Sequence, residues 1–109
     1  MIVRSWHGII PIEKAGSFRD HLLKTGVADA KATVGNLGVY IYNQSQENYE
    51  HFFMVSYWNN MESLKHFAGK NPQMAVCYDE DLEYGLISDP IALHHEILML
   101  PSDFSFNKV

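Results

Sequence analysis

A single cysteine, Cys77, stands among the 109 residues of the chain. One thiol excludes an intramolecular disulfide and a thiolate metal cluster within one copy. It also fits a reducing compartment. Basic charge is scarce: eight Lys and Arg against 13 Asp and Glu leave a net charge of −5. The few cations are scattered and make no stripe of the kind that neutralises phosphates, so nucleic acid is not an expected partner. No apolar run approaches the length of a membrane span, and the N-terminus lacks a charged region followed by an apolar signal core. A cytoplasmic protein without a membrane partner is the expectation. The chain also lacks a GxGxxG motif, a P-loop, an HExxH or comparable ligand spacing, and a Gly-x-Ser-x-Gly elbow. It therefore gives no support for a dinucleotide, a triphosphate, a metal centre or a serine hydrolase.

Apolar residues are plentiful, at 47% against 19% charged, as in an ordinary globular domain. The length predicts one domain, taken as residues 1–100, with a C-terminal tail over 101–109. Ile2 to Ile10 reads as a strand closed by Pro11, and Ile12 to Thr25 as a helix with an apolar stripe of Ala15, Phe18, Leu22 and Leu23. Gly26 reads as the stop of that helix, and Val27 to Gly38 as a loop. Val39 to Asn43 and His51 to Trp58 read as a hairpin joined by the polar stretch Gln44 to Tyr49. A helix follows, capped by Asn59 with Glu62 reaching back, and ends at Gly69. Asn71-Pro72 predicts a second helical piece up to Gly85, with Met74, Ala75, Tyr78 and Leu82 on one face. The acidic cluster Asp79, Glu80, Asp81 and Glu83 reads as its solvated side. Ile91 to Leu100 reads as the last strand, with Phe104 and Phe106 in the tail beyond.

This order is a ferredoxin-like βαββαβ pattern, an α+β class with helices on one face of a four-stranded antiparallel sheet. The strands are apolar at both parities, as in Ile2, Trp6 and Ile10 against Val3 and Ile9. A sheet with one wet face would alternate apolar and polar residues. The second face therefore predicts a partner sheet from another copy of the chain, a homodimer.

Several local motifs resemble the antibiotic biosynthesis monooxygenase (ABM) family of dimeric α+β barrels. They are Ser56-Tyr57-Trp58 at a strand end, Phe67-Ala68-Gly69 at a helix end, Ala75 and Tyr78 with Glu80-Asp81, and Pro90 to Glu96 in the last strand. The resemblance implies a barrel made by two facing sheets, and in each subunit a pocket between sheet and helices. It implies a cofactor-independent monooxygenase acting on an aromatic or quinol-like substrate, which loses a proton before its carbanion meets oxygen. A non-catalytic dimer that binds a hydrophobic metabolite is the alternative. A haem-degrading monooxygenase is a further one. Haem-degrading relatives place a histidine ligand ten residues after the aromatic that ends the helix; counting from Phe67 reaches Cys77 instead.

Six residues are candidates for the site, beside packing as their alternative role. His7, on the first strand, suits proton transfer near neutrality. Tyr78 can donate a hydrogen bond to a ligand oxygen. His94 shares a strand face with Glu96, while His95 points the other way. Trp58, Phe67 and Trp6 are candidate aromatic walls for the substrate. His21, His51 and His66 read as surface residues, and Cys77 as a small buried side chain.

Overall fold

The computed structural model describes residues 1–101 and 104; the rest of the expected tail, Phe106 included, lies outside them. Strand β1 (Ile2–Pro11) is the centre of an antiparallel sheet. Strands β2 (Asn36–Gln46) and β3 (Tyr49–Trp58) form a hairpin whose β3 arm pairs with β1 from Ile2↔Trp58 to Pro11↔Tyr49. On the other side of β1 the last strand is split. Strand β4 (Ile87–Ser88) pairs with Gly8 and Ile9, and β5 (Leu93–Glu96) pairs with Ile2 to Ser5. Residues 89–92 thus bulge opposite Trp6 and His7 alone. The spatial order β2-β3-β1-β4/β5 is the ferredoxin-like one, with five strands because the fourth is interrupted. The expected last strand to Leu100 ends at Glu96 instead, and Leu98 and Met99 are exposed beyond it.

Alternation along β1 decides which residues reach the helices. Arg4, Trp6, Gly8 and Ile10 are buried, with half-buried residues between them. Their neighbours on β3, Phe52, Met54, Ser56 and Trp58, are buried too. Helix α1 (Ala15–Leu22) packs Phe18 and Leu22 on this inner face after a short 3-10 turn at Ile12–Lys14. Gly8 is required by close packing, since a Cβ there would lie 2.7 Å from the Trp6 ring.

Gly26 does not stop the first helix. It sits in a π-helical turn, Leu23–Val27, that leads into helix α2 (Ala28–Ala32), so half of the expected loop is helical. Helix α3 (Met61–Ala68) is capped one residue later than expected: the Asn60 side chain accepts from the Ser63 N–H at 2.9 Å. This leaves Leu64 fully buried and Gly69 at the C-terminal end with φ 89°.

The second helical piece expected after Pro72 does not form. Residues 69–78 run without regular structure along the bulged edge, where Ala75 N–H donates to Pro90 O and Ala92 N–H to Gln73 O. Those edge bonds, and the carbonyls of Pro72 and Met74 given to Arg4, use groups a helix would need for itself. Only Asp79–Tyr84 coils, as a 3-10 turn, with Leu82 left exposed. No helix among the described residues is long and apolar enough to cross a membrane.

Candidate functional site

Between the inner sheet face and the helices lies a cavity of about 30 Å³. Trp6, Met54 and Arg4 form its floor, Phe18 and Leu22 come from α1, and Phe67 closes it from the end of α3. The π turn brings Thr25 and Gly26 to the wall; such turns widen a helix locally and often serve sites. Val76, Tyr78, Asp81 and Leu86 cover it from the irregular segment. The volume suits one or two water molecules, whereas cavities that take benzene measure about 150 Å³.

Three of the six candidates line this space: Trp6, Phe67 and Tyr78. Trp6 is held by its indole N–H, which donates to Ser88 Oγ at 2.8 Å. Trp58 stands one layer behind, fully buried and stacked on Phe67 with ring centroids 5.7 Å apart; its own N–H donates to Ser56 Oγ. The Tyr78 hydroxyl does not point its proton at the cavity. It donates to Asp29 Oδ2 on α2 at 2.5 Å, and burial, then that carboxylate, push its pKa up.

His94 lies on the inner face, opposite Arg4 in the β1–β5 register. Its Nε2 is buried and has no partner among the described residues. Burial, then the positive charge of Arg4, lower its pKa, so the imidazole is neutral near pH 7. Arg4 itself is 4% exposed and makes no ion pair with a carboxylate among the described residues. Its Nη2 donates to the carbonyl oxygens of Pro72 at 3.2 Å and Met74 at 2.9 Å, while Nε has no acceptor among the described residues. The guanidinium sits 5.7 Å from the Phe67 ring centroid. Burial pulls the Arg4 pKa down to about 10, still well above neutrality, so the charge stays.

His7 lies on the opposite face of the sheet. It borders an open cleft of about 500 Å³ with Phe53, Asp89 and Leu93. Its Nδ1 is 3.0 Å from Asp89 Oδ2, and its Nε2 is 2.8 Å from His51 Nδ1, which places His7 inside an Asp-His-His chain. The bulge at 89–92 is what carries Asp89 to His7, whose carbonyl accepts from the Asp89 N–H.

Two histidines read as surface residues are partnered. His51 belongs to the chain just described. His21, its side chain 9% exposed, lies 2.7 Å from Asp81 Oδ1 and stacks on Tyr84. Asp81 is itself buried and accepts the Tyr78 N–H at its other oxygen, so the acidic cluster is not wholly a solvated face. Arg4 is the functional candidate that sequence reasoning missed. Its signal was available, an arginine in an otherwise apolar strand at the parity of Trp6. Cys77, by contrast, is exposed. The residues that line the cavity include no histidine and no cysteine, so it offers no imidazole or thiolate to a haem iron.

No protein family model matches the chain, and no curated protein is similar to it in sequence. Solved structures do match. A Deinococcus radiodurans protein provisionally assigned as an antibiotic biosynthesis monooxygenase is 18% identical, with a TM-score of 0.62 over 96% of this chain and 100% of its own. Rv0793 from Mycobacterium tuberculosis is 17% identical, with a TM-score of 0.54 over 94% of this chain and 100% of its own. An MhuD variant with two manganese protoporphyrin IX molecules per active site is 14% identical, with a TM-score of 0.56 over 94% and 99%. At these identities the likeness is one of architecture, and the chain has the ABM-type ferredoxin-like fold.

Proposed function

We propose that the protein is a small-molecule monooxygenase that works without a cofactor on an aromatic or quinol-like substrate. One observation carries this reading: an aromatic cavity between sheet and helices whose floor includes the buried guanidinium of Arg4, which pairs with no carboxylate among the described residues. Trp6 and Phe67 supply flat apolar walls, with Trp58 as the layer that keeps Phe67 in place. Tyr78 closes the wall, and His94, which stands outside the cavity lining but opposite Arg4 on the next strand, is the proposed proton acceptor once the covering segment moves. In such a reaction a C–H proton leaves to the base and the carbanion forms a C–O bond with dioxygen. Loss of a second proton and cleavage of the O–O bond then leave a carbonyl and water. The substrate supplies the electrons, so no external reductant is required.

The small volume means that residues 69–78 move aside for a ring to enter. That segment is fixed by a few hydrogen bonds rather than by regular structure, which makes it the low-stability part of the wall. The same volume favours a second reading, a non-catalytic dimer whose interior is simply core. Oxygen uptake separates the two. Purified protein with anthrones or quinols consumes oxygen above the buffer rate if it is an oxygenase, and the Trp6→Ala and His94→Leu variants lose most of that rate. Uptake equal to the buffer rate for every substrate in the series would remove the enzyme reading.

We also propose a homodimer formed through the outer sheet face. Tyr42, Phe53 and Leu93 stand 53%, 37% and 58% exposed there, and a second copy is the occupant that would bury them. The exposed thiol of Cys77 suits a reducing compartment such as the cytoplasm.

A further inference from the structure

We infer that the open cleft between α2 and α3 is the entrance to the inner cavity, and that Tyr78, latched to Asp29, is its gate. This deepens the proposed function and rests on the same cavity. The cleft measures about 460 Å³ and is bordered by Asp29 and Ala32 of α2 and by His66 of α3. Three of its lining residues, Phe67, Val76 and Tyr78, also line the inner cavity. They face both spaces, so the wall between cleft and cavity is one layer of side chains thick at that point.

The three are not held alike. Phe67 belongs to α3, stacks on Trp58 and has the Arg4 guanidinium 5.7 Å from its ring centroid, which pins it from two sides. Val76 and Tyr78 stand in the irregular segment. That segment is anchored as far as Ala75: Arg4 donates to the carbonyls of Pro72 and Met74, and the Ala75 N–H donates to Pro90 O. Beyond this anchor, Val76 and Cys77 make no backbone–backbone hydrogen bond among the described residues. The chain is next fixed at Tyr78, whose N–H donates to Asp81 Oδ2 at 2.9 Å and whose hydroxyl donates to Asp29 Oδ2 at 2.5 Å.

These two bonds respond differently to motion of the ring. The backbone bond to Asp81 survives rotation of the Tyr78 side chain. A swing of the ring about its own torsions therefore breaks only the hydrogen bond to Asp29. Asp29 is exposed, so water replaces the hydroxyl there. Opening thus costs one charge-assisted hydrogen bond and moves no element of regular structure. The opposite wall yields less readily, since Trp6, Phe18, Leu22 and Met54 are buried core residues on strands and α1.

Met54 is a native reporter of the opening. It lines the cavity, is 7% exposed, and its sulfur lies beside Gly26 of the same lining. Met74 and Met99 are exposed and act as controls in the same sample. Hydrogen peroxide converts methionine to the sulfoxide, and peptide mass spectrometry gives the rate at each residue. In the wild type Met54 reacts more slowly than either control. Tyr78→Phe raises the Met54 rate about tenfold, the change that loss of one hydrogen bond to a charged group gives, and leaves the controls as they were. Asp29→Ala acts in the same way. Adding Ala32→Trp, which fills the cleft, returns the Tyr78→Phe rate toward that of wild type. Ile10→Val, a core loss outside the cavity lining, leaves Met54 unaffected.

A Met54 rate unmoved by both Tyr78→Phe and Asp29→Ala would overturn the gate. A fast Tyr78→Phe rate untouched by Ala32→Trp would overturn the route. Ile10→Val speeding Met54 as much as Tyr78→Phe would overturn both, because oxidation would then report global unfolding. If Tyr78→Phe fails to fold, Asp29→Ala, at an exposed position, still decides. Gated oxidation of Met54 in a protein that consumes no oxygen with any substrate would keep the entrance and end the oxygenase reading.

Discussion

His21 Nε2 lies 2.7 Å from Asp81 Oδ1, across 60 residues of sequence, and joins α1 to the 3-10 turn that covers the cavity. Both side chains are largely withdrawn from water. Hydrogen bonds to charged groups contribute about 1.5–3 kcal/mol, more when a buried partner is stranded. His21→Ala or Asp81→Ala should therefore lower unfolding stability by about 2 kcal/mol. Thermal melting checks this, with an expected fall of roughly 8–15 °C for a domain of this size. A melting temperature within 2 °C of wild type, about 0.5 kcal/mol or less, would show the pair to be idle.

How much of this was legible in the sequence depends on which interactions fix each element. The strands β1 and β3 and the helices α1 and α3 follow their own periodicity, and residues such as Phe18, Leu64 and Trp58 go where the pattern puts them. The run after Pro72 misleads because Met74, Ala75, Tyr78 and Leu82 have helical spacing, yet the segment is bound to the bulged sheet edge instead. Tertiary hydrogen bonds there override local propensity. Gly26 misleads because it lies in a π turn, packed 3.4 Å (by an ideal Cβ) from Met54 Sδ. In the site, Trp6, Phe67 and Tyr78 meet at one cavity as a short list of large aromatics suggests, whereas His7 falls on the far face by one residue of strand parity. The pairs His21–Asp81 and His7–His51 carry no sequence signal, since each joins residues brought together only by the sheet and its crossover.

His94 gives the protein an acid-sensitive element. Its pKa is lowered from 6.5 by burial first, then by Arg4 and His95. A group whose native pKa is depressed binds fewer protons in the folded state. Its stabilising contribution is complete above pH 6.5 and is lost as pH falls through the lower native value. Urea midpoints measured from pH 7.5 downward should therefore drop more steeply for wild type than for His94→Gln. Parallel curves for the two proteins would assign the acid sensitivity elsewhere.

Phe53 sits at the middle of the outer face, 4.6 Å from the His7 ring centroid and 37% exposed. A second sheet packed there would desolvate it. Replacing it by Lys should convert a dimer into a monomer in light scattering, with little change in far-ultraviolet circular dichroism. The Tyr42→Lys variant is expected to act in the same direction. A wild-type protein that elutes as a monomer at high concentration would contradict the proposed assembly.

The β2–β3 hairpin turns through Glu47 and Asn48, and Glu47 adopts a left-handed φ of 54°. Most residues with a Cβ are disfavoured there, while Gly, and Asn among the others, take such angles readily in two-residue hairpin loops. The Glu47 side chain is exposed. Glu47→Gly should thus raise stability by about 0.5–1 kcal/mol, with Glu47→Asn close behind, less any entropy that glycine adds to the unfolded chain. The gain is read as a higher urea midpoint at constant slope. A loss of stability on Glu47→Gly would mean that the glutamate makes a contribution its backbone strain conceals.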